Sequence, residues 1–269
     1  MKHGIYYAYW TEWSAKYKKY IEKVAKLGFD IIEIAAALEY SDDLELKKAK
    51  DNGIILTAGY GPTKNLSEDA EVRAAALFFK RLLDILAELD IHIIGGALYS
   101  YWPVDFSNDK GDWAWGVEGM RELADFADDI NLGMEVLNRF ESHILNTAEE
   151  AVAFVKDVGS NVKVMLDTFH MNIEESFAGA IRTAGDLLGH FHTGENNRLV
   201  PGKGRIPWKE IGNALRDINY DGAAVMEPFV KSGGTIGSDI KVWRDLSGAD
   251  EAALDDDARA LEFARHVLG

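Results

Sequence analysis

The sequence predicts an α/β protein, a single (β/α)8 barrel covering residues 1–269. Three observations carry that expectation. Short apolar runs alternate with amphipathic stretches eight times without a break. The length is close to that of one barrel domain, and no Ser/Pro-rich linker or low-complexity tract divides it. Four of the apolar runs end in a carboxylate or an imidazole, as expected where parallel strands converge on one mouth.

Strands are expected near 4–10, 30–36, 54–60, 91–98, 131–137, 162–168, 187–193 and 222–228. Ile31, Ile32 and Ile34, and Val162, Val164, Met165 and Leu166, form the near-continuous apolar runs of buried parallel strands. Helical patterns fall near 15–27, 42–52, 68–89, 112–129, 147–158, 174–184, 207–218 and 251–267. In the first, Tyr17, Tyr20, Ile21, Val24 and Leu27 recur at helical spacing. In the third, Val72, Leu77, Leu82, Leu83, Leu86 and Leu89 do so. Gly28 and Gly53 stand where helices should stop. Ser67, and Asn146-Thr147 ahead of Glu149 and Glu150, read as helix starts. No GxGxxG follows a strand, so nothing supports dinucleotide binding.

Composition narrows the function. The net charge of −16 argues against nucleic acid and against an anionic membrane surface as partners. The chain has no cysteine, which excludes disulfides and thiolate metal sites. The opening MKHGIYYAYW leads into a strand without the apolar core of a signal peptide, and no run reaches membrane-spanning length. A soluble, cytoplasmic protein is the expectation.

The chemistry sits in four segments: MEVLNRFE, MLDTFH, GHFHTGENNR and AVMEPF. They offer Glu135, Asp167, His192 and Glu227, about thirty residues apart, the length of one strand–helix unit. Any one of them alone reads more readily as a salt bridge, a cap or a structural histidine. Together, at matching register, they form a divalent-cation site. Three carboxylates with one imidazole suit Mn²⁺, Mg²⁺ or Co²⁺ better than structural zinc. Tyr6, Tyr7, Tyr9, Trp10 and Trp13 serve core packing or the wall of a sugar pocket equally well, whereas Trp113 and Trp115 read as helix packing. PGKGR at 201–205 lacks the spacing of a phosphate loop. GGTIGSD at 233–239 reads as a turn into a helix ahead of a phosphate site.

Long segments, in order, resemble the D-tagatose 3-epimerase/D-psicose 3-epimerase family of xylose-isomerase-like barrels. They include EKVAKLGFDIIEIAA, GGALYSYWP, EVLNRFESHILNT, VKVMLDTFHMNIEE, GHFHTGENNR and VMEPFV. The resemblance implies a metal-dependent ketose 3-epimerase acting on free ketohexoses such as D-fructose and D-psicose. It implies metal ligation by Glu135, Asp167, His192 and Glu227, with Mn²⁺ ahead of Co²⁺ or Mg²⁺. It implies sugar contacts from Glu141, His170 and Arg198, and pocket walls from Tyr6, Trp13 and Trp102. It also implies a homodimer or homotetramer.

Bottom-up chemistry is compatible. Inverting a carbon beside a ketone removes a weakly acidic proton, and a cation can stabilise the enediolate as a Lewis acid. Glu135 and Glu227, from non-adjacent strands, can act as the catalytic pair on opposite faces. Two other readings share this site: an aldose–ketose or hydroxypyruvate-type isomerase, and a folded but inactive sugar- or metal-binding protein. The chain is roughly twenty residues shorter than the family pattern, with losses scattered over loops, as in a minimised variant or a naturally compact member.

Overall fold

The computed structural model of the protein describes residues 1–6, 21–35, 55–59, 80–88, 90–98, 112–127, 129–159, 161–230, 232, 240–246 and 250–269. Eight parallel strands pair in sequence order and close into a barrel. They are β1 (Lys2–Tyr6), β2 (Ile31–Ala35), β3 (Ile55–Gly59), β4 (Ile93–Gly96), β5 (Asn131–Glu135), β6 (Val162–Asp167), β7 (Leu188–Thr193) and β8 (Ala223–Met226). Closure is made by β1 on β8, with Lys2 beside Ala223 and Ile5 beside Met226. The expected fold class is therefore the observed one. The first strand begins two residues earlier than its apolar pattern, because Lys2 donates its N–H to Gly222 O at 3.0 Å and joins the ladder.

Helices flank the strands: α1 (Ile21–Leu27), α2 (Asp112–Ala127), α3 (Ala148–Val158), α4 (Thr168–Glu174), α5 (Phe177–Ala184), α6 (Trp208–Asp217) and α7 (Asp250–Leu268). Residues 80–88 are helical as well. Gly28 ends α1 at φ +88°, a conformation that favours glycine. The N-terminus of α3 is a full capping box, in which Thr147 accepts from Glu150 N and the Glu150 carboxylate accepts from the Thr147 N–H. Trp113 packs edge-on against Phe154, with ring centroids 5.2 Å apart, which is the packing role expected of it. The side chain of Trp115 lies outside the described residues, as do Gly53, Ser67 and 233–239.

The expected helix 174–184 is α5, and a short helix that the pattern did not give, α4, precedes it. Asp167 Oδ1 accepts from Phe169 N at 2.9 Å and starts α4 immediately after β6. Ser176 then caps α5, accepting from Gly179 N at 3.3 Å. The apolar pattern of α5 masked the short helix before it.

A register shift between β6 and β7 aims the histidines. Val164 faces Leu188, but Met165 faces His190, so Gly189 is an extra residue in β7. A Cβ on Gly189 would lie 2.5 Å from Lys163 Cβ, which explains glycine there. Beyond the bulge His190 pairs with Met165 and His192 with Asp167, so both imidazoles share the inward face of Asp167. The C-terminal helix completes the shell. Phe263 meets Trp208 edge-on at 6.3 Å, and Arg216 Nη1 donates to Leu268 O at 3.1 Å.

Candidate metal centre and sugar pocket

Four neighbouring strands deliver the four expected ligands to one point. Glu135 is the last residue of β5, Asp167 the last of β6, His192 the penultimate of β7, and Glu227 the first beyond β8. One ligand atom from each lies within 4.8 Å of all the others. Two oxygen or nitrogen ligands about 2.1 Å from one ion sit about 3 to 4.2 Å apart, so the cluster has the dimensions of a cation cage. Its polarity agrees. Asp167 Oδ2 and His192 Nδ1 are buried and have no hydrogen-bond partner. Buried polar atoms are rarely left so, and these two are the ones a cation would engage.

The electrostatics point the same way. Burial, and then the charge of Glu227, hold the Glu135 carboxyl well above the usual carboxylate range; Asp167 and Glu141 add to this. Burial by itself would push the His192 imidazole down, but the charges of Glu227 and Glu33 outweigh it and raise it well above its ordinary value. His192 Nδ1 stands 3.3 Å from Glu227 Oε2. Three acidic side chains this close are mutually repulsive, and a divalent cation is the natural compensation.

Three of the expected sugar-contact residues, His170, Glu141 and Arg198, stand beside the four cage residues. His170 Nδ1 accepts from Asn138 N at 3.2 Å and lies 2.7 Å from Asn138 Nδ2. Burial pushes the His170 imidazole down, overriding Glu141 and Asp167, so the ring is neutral. With Nδ1 accepting, the proton sits on Nε2, which faces Asp167 Oδ2 at 3.6 Å and Glu135 Oε1 at 3.9 Å. His170 therefore presents a donor toward the tetrad. Glu141 Oε1 accepts from Arg198 Nη2 at 3.2 Å and from Asn138 Nδ2 at 3.1 Å. The Arg198 guanidinium lies 3.4 Å from the ring centroid of Phe169, and its Nε and Nη1 have no hydrogen-bond partner. Tyr6, at the end of β1, is buried with its ring 6.5 Å from His192. Trp13 and Trp102 lie outside the described residues.

Arg198 is held by a loop whose centre is Glu195, a residue the sequence pattern does not single out. Glu195 is fully buried and accepts from Gly202 N at 2.7 Å, Trp208 Nε1 at 2.7 Å and Ile206 N at 3.2 Å. Its own carbonyl accepts from Arg198 N at 2.9 Å, and Arg198 takes φ +62°. PGKGR thus serves as the far wall of this loop.

Glu33 and His190 also escaped the sequence pattern. Glu33, in the middle of β2, is buried and reaches across the barrel to β7. Its Oε2 is 2.7 Å from His190 Nε2, and its Oε1 is 2.9 Å from His192 Nε2. Burial opposes ionisation of Glu33, but the two imidazoles overcome it and hold the carboxyl well below its ordinary range. The inward glutamate in IIEIA was a visible signal, since a charge in a buried strand demands a partner.

Comparison with known proteins places this geometry. The family model described as a xylose isomerase-like TIM barrel matches residues 21–261. The D-psicose 3-epimerase of Agrobacterium fabrum is 73% identical over 289 residues, covering 100% of both chains. The alignment is longer than the 269 residues here, in keeping with the shortening read from the loops. The D-psicose 3-epimerase of Enterocloster bolteae is 64% identical, covering 100% of this chain and 96% of the relative. Among solved structures, D-psicose 3-epimerase with D-tagatose from Clostridium cellulolyticum H10 superposes with a TM-score of 0.96 at 56% identity, covering 100% and 99% of the two chains. A closed parallel barrel with a carboxylate–imidazole cage at its strand ends, and full-length identity of this order, make the chain an isomerase-class enzyme of the D-psicose 3-epimerase family.

Proposed function

We infer that the protein epimerises free ketohexoses at C3, interconverting sugars such as D-fructose and D-psicose, with Glu135, Asp167, His192 and Glu227 holding one divalent cation. The observation that carries the reading is the pair Glu135 and Glu227. They rise from β5 and β8, on either side of the β6 and β7 ligands, and converge within 4.8 Å in one cage. A substrate across that cage meets one carboxyl group on each face. The relatives named above, D-psicose 3-epimerases, supply the substrate class.

When bound, the cation supplies Lewis-acid stabilisation of the negative charge that develops on the sugar oxygens. The donor set favours Mn²⁺, with Co²⁺ or Mg²⁺ as alternatives. One glutamate takes the C3 proton, breaking the C–H bond and leaving its electron pair delocalised toward the C2 carbonyl. The other glutamate, protonated, returns a proton to C3 from the opposite face. The pair ends with its protonation states exchanged, so the return reaction uses the same groups in reversed roles. His170 Nε2–H and the Nε–H and Nη1–H groups of Arg198, which make no hydrogen bond within the protein, donate to sugar oxygens, Glu141 accepts from a sugar hydroxyl, and Tyr6 walls the pocket. The working protein is a homodimer or homotetramer in the cytoplasm, with no nucleic-acid or membrane partner.

The test is product identity. Chelator-stripped protein reloaded with Mn²⁺ is incubated with D-fructose, D-psicose and D-tagatose, and products are resolved by chromatography. C3 epimers are expected, with deuterium at C3 after turnover in D₂O. An aldose product would replace this reading with an isomerase. Glu135→Gln and Glu227→Gln should each lower kcat by about 10²–10⁴-fold.

A further inference from the structure

We propose that Glu33 is a positioning residue, whose carboxylate commits Nε2–H of His192 to a hydrogen bond and thereby presents the bare Nδ1 of that imidazole to the cation cage. The inference rests on the cage assigned above.

Glu33, His190 and His192 themselves form a compact buried group with metal-ligating atoms. Their spacing argues against an ion between them. Two ligands about 2.1 Å from a tetrahedral ion stand about 3.4 Å apart. Here each oxygen meets one nitrogen directly, at 2.7 and 2.9 Å, which are hydrogen-bond lengths. A carboxylate is acceptor-only, so each facing Nε2 must carry a proton. In neutral His192 that leaves the lone pair on Nδ1. This atom stands 3.3 Å from Glu227 Oε2, on the cage side of the ring. The opposite tautomer would put a proton where the ion must bind and remove the donor that Glu33 Oε1 meets at 2.9 Å. Glu33 sits on β2 and the cage on β5 to β8, so the orientation of the one nitrogen ligand is set from across the barrel. The bulge at Gly189 is part of the device, because it brings both imidazoles onto the face that Glu33 addresses.

Glutamine at position 33 would offer one acceptor and one donor. The imidazole opposite its amide group must then turn its lone pair to Nε2. If that imidazole is His192, the proton moves to Nδ1. A buried hydrogen-bond partner of a metal-ligating histidine typically changes metal affinity by about 10–100-fold.

The experiment is calorimetric titration of chelator-stripped protein with Co²⁺ and, separately, with Mg²⁺. Glu33→Gln should weaken Co²⁺ about 10–100-fold and Mg²⁺ less, because Co²⁺ draws more on a nitrogen ligand. His190→Gln, which keeps a donor toward Glu33 Oε2, should leave both affinities within about threefold of wild type. Unchanged Co²⁺ affinity in both Glu33→Gln and Glu33→Ala, the second of which leaves neither imidazole an acceptor, overturns the proposal. So does an equal loss of both metals in both variants, which would mean that the group matters for packing alone. Two ions per chain would show that Glu33, His190 and His192 form a site of their own, and would also overturn it. If Glu33→Gln does not fold, imidazole ¹⁵N shifts of Mg²⁺-loaded wild type decide: protonated Nε2 and bare Nδ1 on His192 are expected, and the reverse refutes the proposal. Asp167→Ala is the control for the cage. If it binds metal as tightly as wild type, the cage assignment fails independently of Glu33.

Discussion

Asp167 divides its two oxygens between fold and chemistry. Oδ1 starts α4 by accepting from Phe169 N, while Oδ2 is buried in the cage and makes no hydrogen bond. The two duties separate by substitution. Asp167→Asn keeps an acceptor for the cap and removes one negative charge. It should retain the melting temperature of the cation-free protein while losing at least about tenfold in cation affinity by calorimetry. Asp167→Ala should lose both, the cap contributing about 1 kcal/mol by chemical denaturation. Arg198 offers a second separation. Its planar group stacks on Phe169 and forks between Glu141 and the pocket, a geometry that lysine cannot copy. Steady-state kinetics of Arg198→Lys should show a rise of about tenfold in KM for ketose, with kcat much less affected. Unchanged KM would remove Arg198 from the sugar contacts.

At the scale of elements, the loops after β5, β6 and β7 lock onto one another through a few buried polar groups. Glu175 is one of them. It follows α4, and both its oxygens lie 3.1 Å from Ala148 N at the start of α3. Burial pushes its carboxyl up to about 7, with Glu149, Glu150 and Glu174 adding to the shift and the Ala148 hydrogen bond opposing it. A carboxyl raised in the folded state contributes stability that is complete below its unfolded value near 4.5 and is lost as pH rises through 7. Glu175→Gln resembles the protonated form. Urea midpoints should therefore show the variant more stable than wild type at pH 8, by about 1 kcal/mol after allowance for solvent screening of a half-buried group, and equal to it near pH 4. A variant less stable at pH 8 would mean that the charged carboxylate is needed as the cap of α3. The capping box at Thr147 and the turn at Gly28 were legible because cap and stop chemistry is local. Helix α4 was not, since its start is an aspartate that the pattern had already assigned to ligation.

For the whole molecule, the candidate cage draws one residue from the end of each of β5, β6, β7 and β8, so a cation bound there would couple to folding. Without the cation, three acidic side chains face one another in a largely buried site. A ligand that binds the folded state alone stabilises it by about 2.7 kcal/mol at a hundredfold excess over its dissociation constant. Thermal unfolding should thus shift upward with Mn²⁺ and downward with a chelator, the difference disappearing in Asp167→Ala. A chelator-insensitive melting temperature in the wild type would count against the cage. The charge of −16 is spread over a chain whose −1 to −3 steps at this site matter more than the total, because the site charges are desolvated and the others are screened.

The strand order, the closed barrel and the four cage residues could be read from the sequence alone. Each depends on local regularities: apolar runs that alternate with amphipathic ones, and a polar residue where each run stops. Parallel strands of one barrel then share a mouth by geometry. The tertiary structure decided what depends on distant partners. Glu33 meets residues 157 and 159 positions away. Asn138 fixes the tautomer of His170 from 32 positions away, and Glu195 shapes the loop that carries Arg198. Such contacts leave no periodicity in the chain, because a hydrogen bond is set by proximity in the folded state and not by spacing along the backbone.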